Sequence, residues 1–266
     1  MIQHIVNISG GKDSAACYLL ALHRGVPFRA VMADTGHEAP ETYEWVARLP
    51  ERTGGPKVEL VRAEFASRFA AKRRTIATRW RANGIAEVRI ERALDLLHPT
   101  GIPFLDLCMI KGRFPSVKAR FCTEELKAIP IDTQIVRPAR LRSGVIRWQG
   151  ERCDESPARR GLPRTHIVRE RGLHRMVLYR PIRAWSRSNV FELHRLFGLD
   201  PNPLYARGFD RVGCFPCIME SKKGLSVLAR HHPEAVARPG VGGAGSRCLE
   251  ARGHDFLRPQ DHPARP

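Results

Sequence analysis

Apolar and polar positions alternate in short blocks along the first sixty residues. IQHIVNI (Ile2–Ile8) is an apolar run of strand length, and Asp13–Arg24 spaces its apolar side chains at helical intervals before Gly25. FRAVMA (Phe28–Ala33) reads as a second strand. Pro40–Arg48 reads as a helix with proline near its start, and Val58–Val61 as a third, short strand. Strands alternating with helices predict a parallel sheet wrapped by helices. Residues 85–130 carry more helix, followed by the glycine- and proline-punctuated PFLDLCMIKGRFPSVKARFCTEELKAIP. VIRWQG (145–150) reads as a further strand and Ser188–Phe197 as a helix. LDPNPLYARG is a turn-rich loop, and Lys222–His232 a last helix. From Arg238 the chain becomes rich in Gly, Pro, Arg and His and loses apolar periodicity, so 238–266 reads as a poorly ordered tail after one domain over 1–237.

With 266 residues and 42% hydrophobic content the chain can bury one substantial core with a small appended lobe. No apolar run reaches the length of a membrane span, and the chain opens on a strand pattern without a signal peptide. The expectation is a cytoplasmic protein without a membrane partner. Its seven cysteines there point to metal or redox chemistry rather than a disulfide framework. A formal charge of +18 points to polyanionic partners: nucleotides, nucleic acid, or both. The densest basic run, AAKRRTIATRWRANG (70–84), reads slightly better as a solvated helix face than as a nucleic-acid site, although Trp80 would allow base stacking.

At the first strand-to-helix junction stands SGGKDS, Ser9 to Ser14. A helix N-terminus offers unpaired N–H groups and the positive end of the helix dipole, which suits an anion. Gly10 and Gly11 allow close backbone approach and positive φ. Lys12 adds charge, Ser9 and Ser14 add hydroxyls, and Asp13 is placed to cap the helix or help hold a metal ion. GxxxxGK[ST] is absent, so this is no Walker loop. DTGHEAPET (Asp34–Thr42) also follows a strand, which brings both segments to one crevice at the carboxyl edge of the sheet.

Two further clusters carry chemistry. Cys214 and Cys217 form a C-x-x-C pair, with Cys108 and Cys122 upstream; four such thiolates fit a structural zinc, an iron–sulfur cluster or, in part, a redox dithiol. Cys108, between Leu107 and Met109, also reads as a small buried hydrophobe. GERCDESPARR (Gly150–Arg160) packs Arg152, Glu155 and Arg159 into one loop, where the arginines suit phosphate or sulfate and Glu155 would orient one of them or help to hold magnesium.

SGGKDS resembles the PP-loop of the ATP pyrophosphatase (adenine nucleotide alpha-hydrolase-like) superfamily. Joined in order by DTGHEAPETYEWV, FLDLCMIKGRFPSVKARFCTEELK, GERCDESPARR, PIRAW and NPLYARGFDRVGCFPCI, it is similar to the phosphoadenosine phosphosulfate (PAPS) reductase family. The resemblance is to its phage and prokaryotic branch, near the sulfurtransferases of DNA phosphorothioation. It implies an α/β fold, a Rossmann-like parallel sheet flanked by helices with a small C-terminal cysteine-bearing lobe. It implies that Ser9, Gly10, Gly11, Lys12, Asp13 and Ser14 hold the phosphates of ATP or PAPS, with Mg²⁺ sharing the charge. Asp34 and Thr35 would lie by the adenosine. Arg152 and Arg159 would meet the phosphate or sulfate end, with Glu155 beside them. Cys108, Cys122, Cys214 and Cys217 would hold a [4Fe–4S] cluster, with Lys111 and Arg113 adding positive charge near it.

Two departures from the reductase pattern stand out. Assimilatory reductases carry a C-terminal ECG-type motif, where this chain has RCLEARG around Cys248, and the PP-loop is the intact form of ATP-cleaving members. Both favour sulfur transfer or reduction with ATP activation and pyrophosphate release. The acceptor would be nucleic acid or a small molecule, supplied by a sulfur- or electron-donor protein. The competing expectations are a thiol-dependent PAPS reductase releasing sulfite and a non-catalytic nucleotide- or nucleic-acid-binding iron–sulfur protein.

Overall fold

The computed structural model describes residues 2–233; the tail expected at 238–266, with Cys248, lies outside the described residues. The chain divides into two compact units. One holds Met1–Asp34, Glu38–Arg62 and Lys127–Phe215, and the other holds Thr35–His37, Ala63–Leu126 and the chain from Pro216.

The first unit is built on a six-stranded sheet. Its strands are β1 (Gln3–Ile8), β2 (Phe28–Ala33), β3 (Val58–Val61), β4 (Val145–Trp148), β5 (Thr165–Val168) and β6 (Met176–Tyr179), in the order β3-β2-β1-β4-β6-β5. Every neighbouring pair is parallel except β5–β6. This is the Rossmann-like α/β class the sequence predicts. β1 and β2 carry apolar residues at successive positions, Ile5–Val6 and Ala30–Ala33, because both sheet faces are covered there. Val6, Ile8 and Met32 pack with Ala16, Leu19 and Leu20 of helix α1 (Lys12–His23). Ile5, Val31 and Ala33 point the other way, onto Ile131, Ile135 and Val136.

Helix α2 (Pro40–Ala47) starts on its proline. The helix Arg187–Leu196 starts in a capping box, in which Ser186 Oγ accepts from the Asn189 amide and the Asn189 side chain accepts from the Ser186 amide.

Two parts of the chain differ from the sequence reading. β5 and β6 were not expected. Each is only four residues long, and β5 is an exposed edge strand with little apolar pattern to mark it. Residues 121–142 are helical in short consecutive pieces, including the wide π-type turns Glu124–Ala128 and Asp132–Val136. Such turns leave a backbone position without its usual bond, which lets Pro130 and Pro138 sit inside a helical stretch.

The second unit is helical. Ala66–Thr75, Glu87–Leu96 and Pro103–Lys111 enclose a core that includes Phe69, Ile76, Ile90, Phe104 and Leu107. It carries cysteines, as expected of the smaller lobe, and draws on the internal segment 63–126 as well as on the chain from Pro216. Among the described residues no helix is long and apolar enough to cross a membrane.

Candidate functional site

The SGGKDS loop leaves the carboxyl end of β1 and enters α1 with Gly11 at the N-cap. Gly10 has φ +72°, and a Cβ there would collide with Thr42 Cγ2. Only glycine fits this turn without strain. Gly150, after β4, lies against the same loop: a Cβ on it would stand 2.6 Å from the Asp13 carbonyl carbon and 2.8 Å from the Ser14 amide nitrogen. Ser14 Oγ accepts from the Ser9 amide at 3.1 Å and donates to the Gly11 carbonyl at 2.9 Å, so one hydroxyl ties the two ends of the loop.

Asp13 does not cap α1. Its carboxylate lies between two cations, with Lys12 Nζ 3.0 Å from Oδ2 and Arg152 Nε 2.6 Å from Oδ1. Arg152 is 5% exposed, and its Nη1 also reaches both oxygens of Asp154 at 2.6 Å. Burial opposes its charge, while Asp13, Asp154 and Glu155 outweigh that and raise its pKa. Glu155 Oε2 accepts from the Arg152 amide at 3.1 Å and from the Arg159 side chain, so Arg159 is tied to Arg152 through Glu155 rather than to the loop directly. The expected phosphate-loop residues and Arg152 thus come together, with Arg159 one residue removed.

Asp34, at the end of β2, is buried and accepts from Tyr43 Oη on Oδ1 at 2.5 Å and from Arg62 Nε on Oδ2 at 2.7 Å. Tyr43 also donates to Glu38 Oε2 at 2.9 Å. Burial first, and then the Glu38 charge, push the Tyr43 phenol well up, so it stays a donor. Thr35 belongs to the second unit, where its Oγ1 accepts from the His37 amide and its carbonyl accepts from the Phe104 amide. A cleft of about 200 Å³ opens beside the loop at the carboxyl ends of β1, β2 and β4; Ser9, Ser14, Ile8, Met32 and Gln149 line it, with Lys127 at one wall. Glu38 and Glu151 also line it, so its wall carries carboxylates as well as Lys127.

The four cysteines expected at a cluster are placed as follows. In the helical unit Cys108 is 1% exposed, and Cys122 packs against the same core. Burial, and then the nearby Cys122, push the Cys108 thiol well up. Cys217 Sγ accepts from the Met219 amide at 3.5 Å. In the sheet unit Cys214 donates its thiol to Glu38 Oε1 at 3.8 Å. Cys108 therefore reads as a neutral thiol. Among the described residues no three His, Cys, Asp or Glu side chains are arranged to hold a metal ion. Lys111, expected to supply charge near the cluster, pairs with Glu125 at 2.5 Å, and both Lys111 and Arg113 lie over the Phe121 ring.

Three residues around the loop were not foreseen: His194, Asn202 and Tyr205. The last two fall in NPLYARG, which the sequence marks as a motif without saying what it touches.

A strand, a glycine loop and a helix N-terminus at the carboxyl edge of a sheet ordered 3-2-1-4 define an α/β protein of Rossmann-like class, and such a helix end suits an anion. The chain belongs to the phosphoadenosine phosphosulfate reductase domain family, whose model matches residues 3–220. It is 43% identical over 274 residues to an uncharacterized 37.8 kDa protein of Escherichia phage 186, covering 98% of this chain and 80% of that one. It is 33% identical over 124 residues to an adenosine 5'-phosphosulfate reductase of Neisseria meningitidis, covering 45% of this chain and 47% of that protein. A crystal structure of phosphoadenylyl-sulfate reductase from Candida auris aligns over 82% of this chain and 83% of that one, at 16% identity and a TM-score of 0.47. The family places the chain among proteins of sulfonucleotide chemistry.

Proposed function

We propose that this chain binds an adenine nucleotide on the SGGKDS loop and activates an acceptor for sulfur transfer or reduction, releasing pyrophosphate. The observation that carries the reading is the loop itself. Its full sequence is present, Gly10 is sterically enforced, and two buried cations, Lys12 and Arg152, converge on it. In the step proposed, an acceptor oxygen attacks the α-phosphorus of ATP. The bond from that phosphorus to the bridging oxygen breaks, and pyrophosphate leaves with both electrons of that bond. The acceptor's proton passes to solvent. The N-terminal amides of α1 and Lys12 stabilise the charge gathering on the leaving group.

Asp13 balances Lys12 and Arg152 in the described state. A phosphate would therefore meet cations already held in place, and Mg²⁺, with Asp13 as the carboxylate nearest the loop, would share the negative charge of the phosphates.

Isotope exchange between ATP and pyrophosphate, with candidate acceptors present, tests the reading. Exchange that disappears in Lys12→Ala supports it; ATP binding without exchange for any acceptor leaves a binding protein and overturns it. A second reading, thiol-dependent reduction of a sulfated adenine nucleotide to sulfite, is favoured by the relatives named adenosine 5'-phosphosulfate reductase. Sulfite release from that nucleotide with a thiol donor distinguishes it.

The [4Fe–4S] assignment rests on the donor chemistry of Cys108, Cys122, Cys214 and Cys217 and on the family. Iron and sulfide analysis after anaerobic purification tests it, with about four of each per chain expected and lost in Cys214→Ser. Nucleic acid as the acceptor, a donor protein and a cytoplasmic setting belong to the same proposal.

A further inference from the structure

The loop carries no cap of its own. Gly11 sits at the N-cap of α1 without a side chain, and no side-chain cap bond is made there. Uncapped helix amides bind water or swing, and a glycine-rich loop has little to resist this.

Three side chains from one later segment supply what is missing. Asn202 Nδ2 donates to the Gly10 carbonyl at 3.3 Å, and also to Thr42 Oγ1 at 3.2 Å. Tyr205 Oη accepts from the Lys12 amide at 3.0 Å. His194 Nε2 donates to the Lys12 carbonyl at 2.9 Å. The three bonds fall on three consecutive peptide groups: Gly10–Gly11, Gly11–Lys12 and Lys12–Asp13.

The clamp residues are themselves fixed. Asn202 Oδ1 accepts from the Leu204 amide at 3.0 Å, and both Asn202 and His194 are 1% exposed. The Tyr205 ring meets Phe191 edge-on at 5.6 Å and carries Lys12 Nζ over its face at 5.4 Å. Tyr205 therefore holds both ends of Lys12, the amide through its hydroxyl and the ammonium through its ring.

We propose that His194, Asn202 and Tyr205 are positioning residues that clamp the phosphate loop, setting three peptide groups in sequence so that Lys12 and the remaining loop amides stay aimed at a bound phosphate. The proposal rests on the nucleotide reading above for its function and on the three bonds alone for its geometry. Burial raises the Tyr205 phenol and lowers the His194 imidazole. At neutral pH these states match the bonds seen: a neutral phenol oxygen that accepts from an amide, and a neutral imidazole that donates through Nε2.

The test separates the clamp from the nucleotide reading. Tyr205→Phe keeps the ring on Phe191 and under Lys12 but removes the acceptor, and Asn202→Asp keeps the bond to Leu204 but removes the donor to Gly10. Amide hydrogen exchange at Lys12 is measured without ligand, and affinity for ATP and for inorganic pyrophosphate is measured by calorimetry. Tyr205→Phe should exchange Lys12 about tenfold faster and weaken both ligands about tenfold, the loss of one hydrogen bond, with the global unfolding transition little changed. Asn202→Asp, adding a charge beside the loop, should weaken them further. Unchanged exchange at Lys12 in Tyr205→Phe overturns the clamp, as does faster exchange with unchanged affinity. If the native protein binds neither ATP nor pyrophosphate, the nucleotide reading fails instead, and the Lys12 exchange rate still decides whether the clamp exists.

Discussion

Lys12 and Arg152 in the sheet unit, and the six basic residues from Arg68 to Arg81 in the helical unit, look alike as sequence: positive charge in a chain of net +18. The fold uses them in opposite ways. Lys12 and Arg152 are buried and paired with Asp13, charges kept out of water beside a cleft. In the helical unit most of the charge serves local structure. Arg68 pairs with Glu125, and Lys72 donates to the Met109 and Ile110 carbonyls at the end of the helix Pro103–Lys111. Arg73 donates to the Leu94 and Leu97 carbonyls, and Arg81 pairs with Glu87. Arg74 and Arg79 remain as exposed side chains on that stretch. A dense basic run can thus be mostly helix-end chemistry, whereas Lys12 and Arg152 are buried on one carboxylate beside the loop, a difference that counting charges does not show.

The contrast can be broken at several points. Gly10→Ala should have the largest effect, since it forces a Cβ onto Thr42 at positive φ. A loss on the order of 3 kcal/mol in urea unfolding, with nucleotide binding abolished, is expected. Arg152→Ala leaves Asp13 and Asp154 without their buried partner and should cost about 2 kcal/mol together with most of the nucleotide affinity. In the helical unit Arg73→Ala should cost about 1 kcal/mol through its lost carbonyl contacts, with ATP affinity unchanged.

His194→Gln sharpens the comparison through pH. Burial lowers the folded His194 pKa below its ordinary 6.5, so the unfolded chain takes up the proton first. The stability tied to the neutral ring is complete above pH 6.5 and falls as pH drops below it. Melting curves of the native protein should decline there more steeply than those of the glutamine variant. Arg74→Ser with Arg79→Ser should have the smallest effect, within about 0.5 kcal/mol. A large, salt-dependent loss of nucleic-acid binding in that double variant would restore the basic run as a binding surface.

The elements legible in the sequence are those whose cause is local. β2 and β3 fall where their apolar runs place them, and α1, α2 and the helix Arg187–Leu196 start within a residue of where their periodicity places them. What escaped notice depends on distant partners. β5 is a strand because β6 pairs with it, and its own four residues hardly show it. The π-type turns around Pro130 and Pro138 arise where Ile131 and Ile135 pack against the sheet.

The site divides the same way. SGGKDS is contiguous and chemically distinctive, so it is readable. The pairing of Asp13 with Arg152 joins two motifs far apart in sequence, and the grip of NPLYARG on the loop exists only after folding. Asp34, expected beside the adenosine, is buried at the end of β2 with its carboxylate bonded to Tyr43 and Arg62, partners that its own motif does not reveal.

The position of β1 has a consequence for synthesis. It lies between β2 and β4, so its pairing on one side is complete once Phe28–Ala33 is made, while its other side waits for Val145–Trp148. The whole helical segment 63–126 is translated in between, at about 5–20 residues per second. For those seconds an apolar strand edge bearing Ile5 and Val6 is open to any neighbouring chain on the polysome. Shortened products ending before β4 are therefore expected to aggregate where the full chain does not, and the clearance of interrupted translation becomes part of how a cell tolerates this protein.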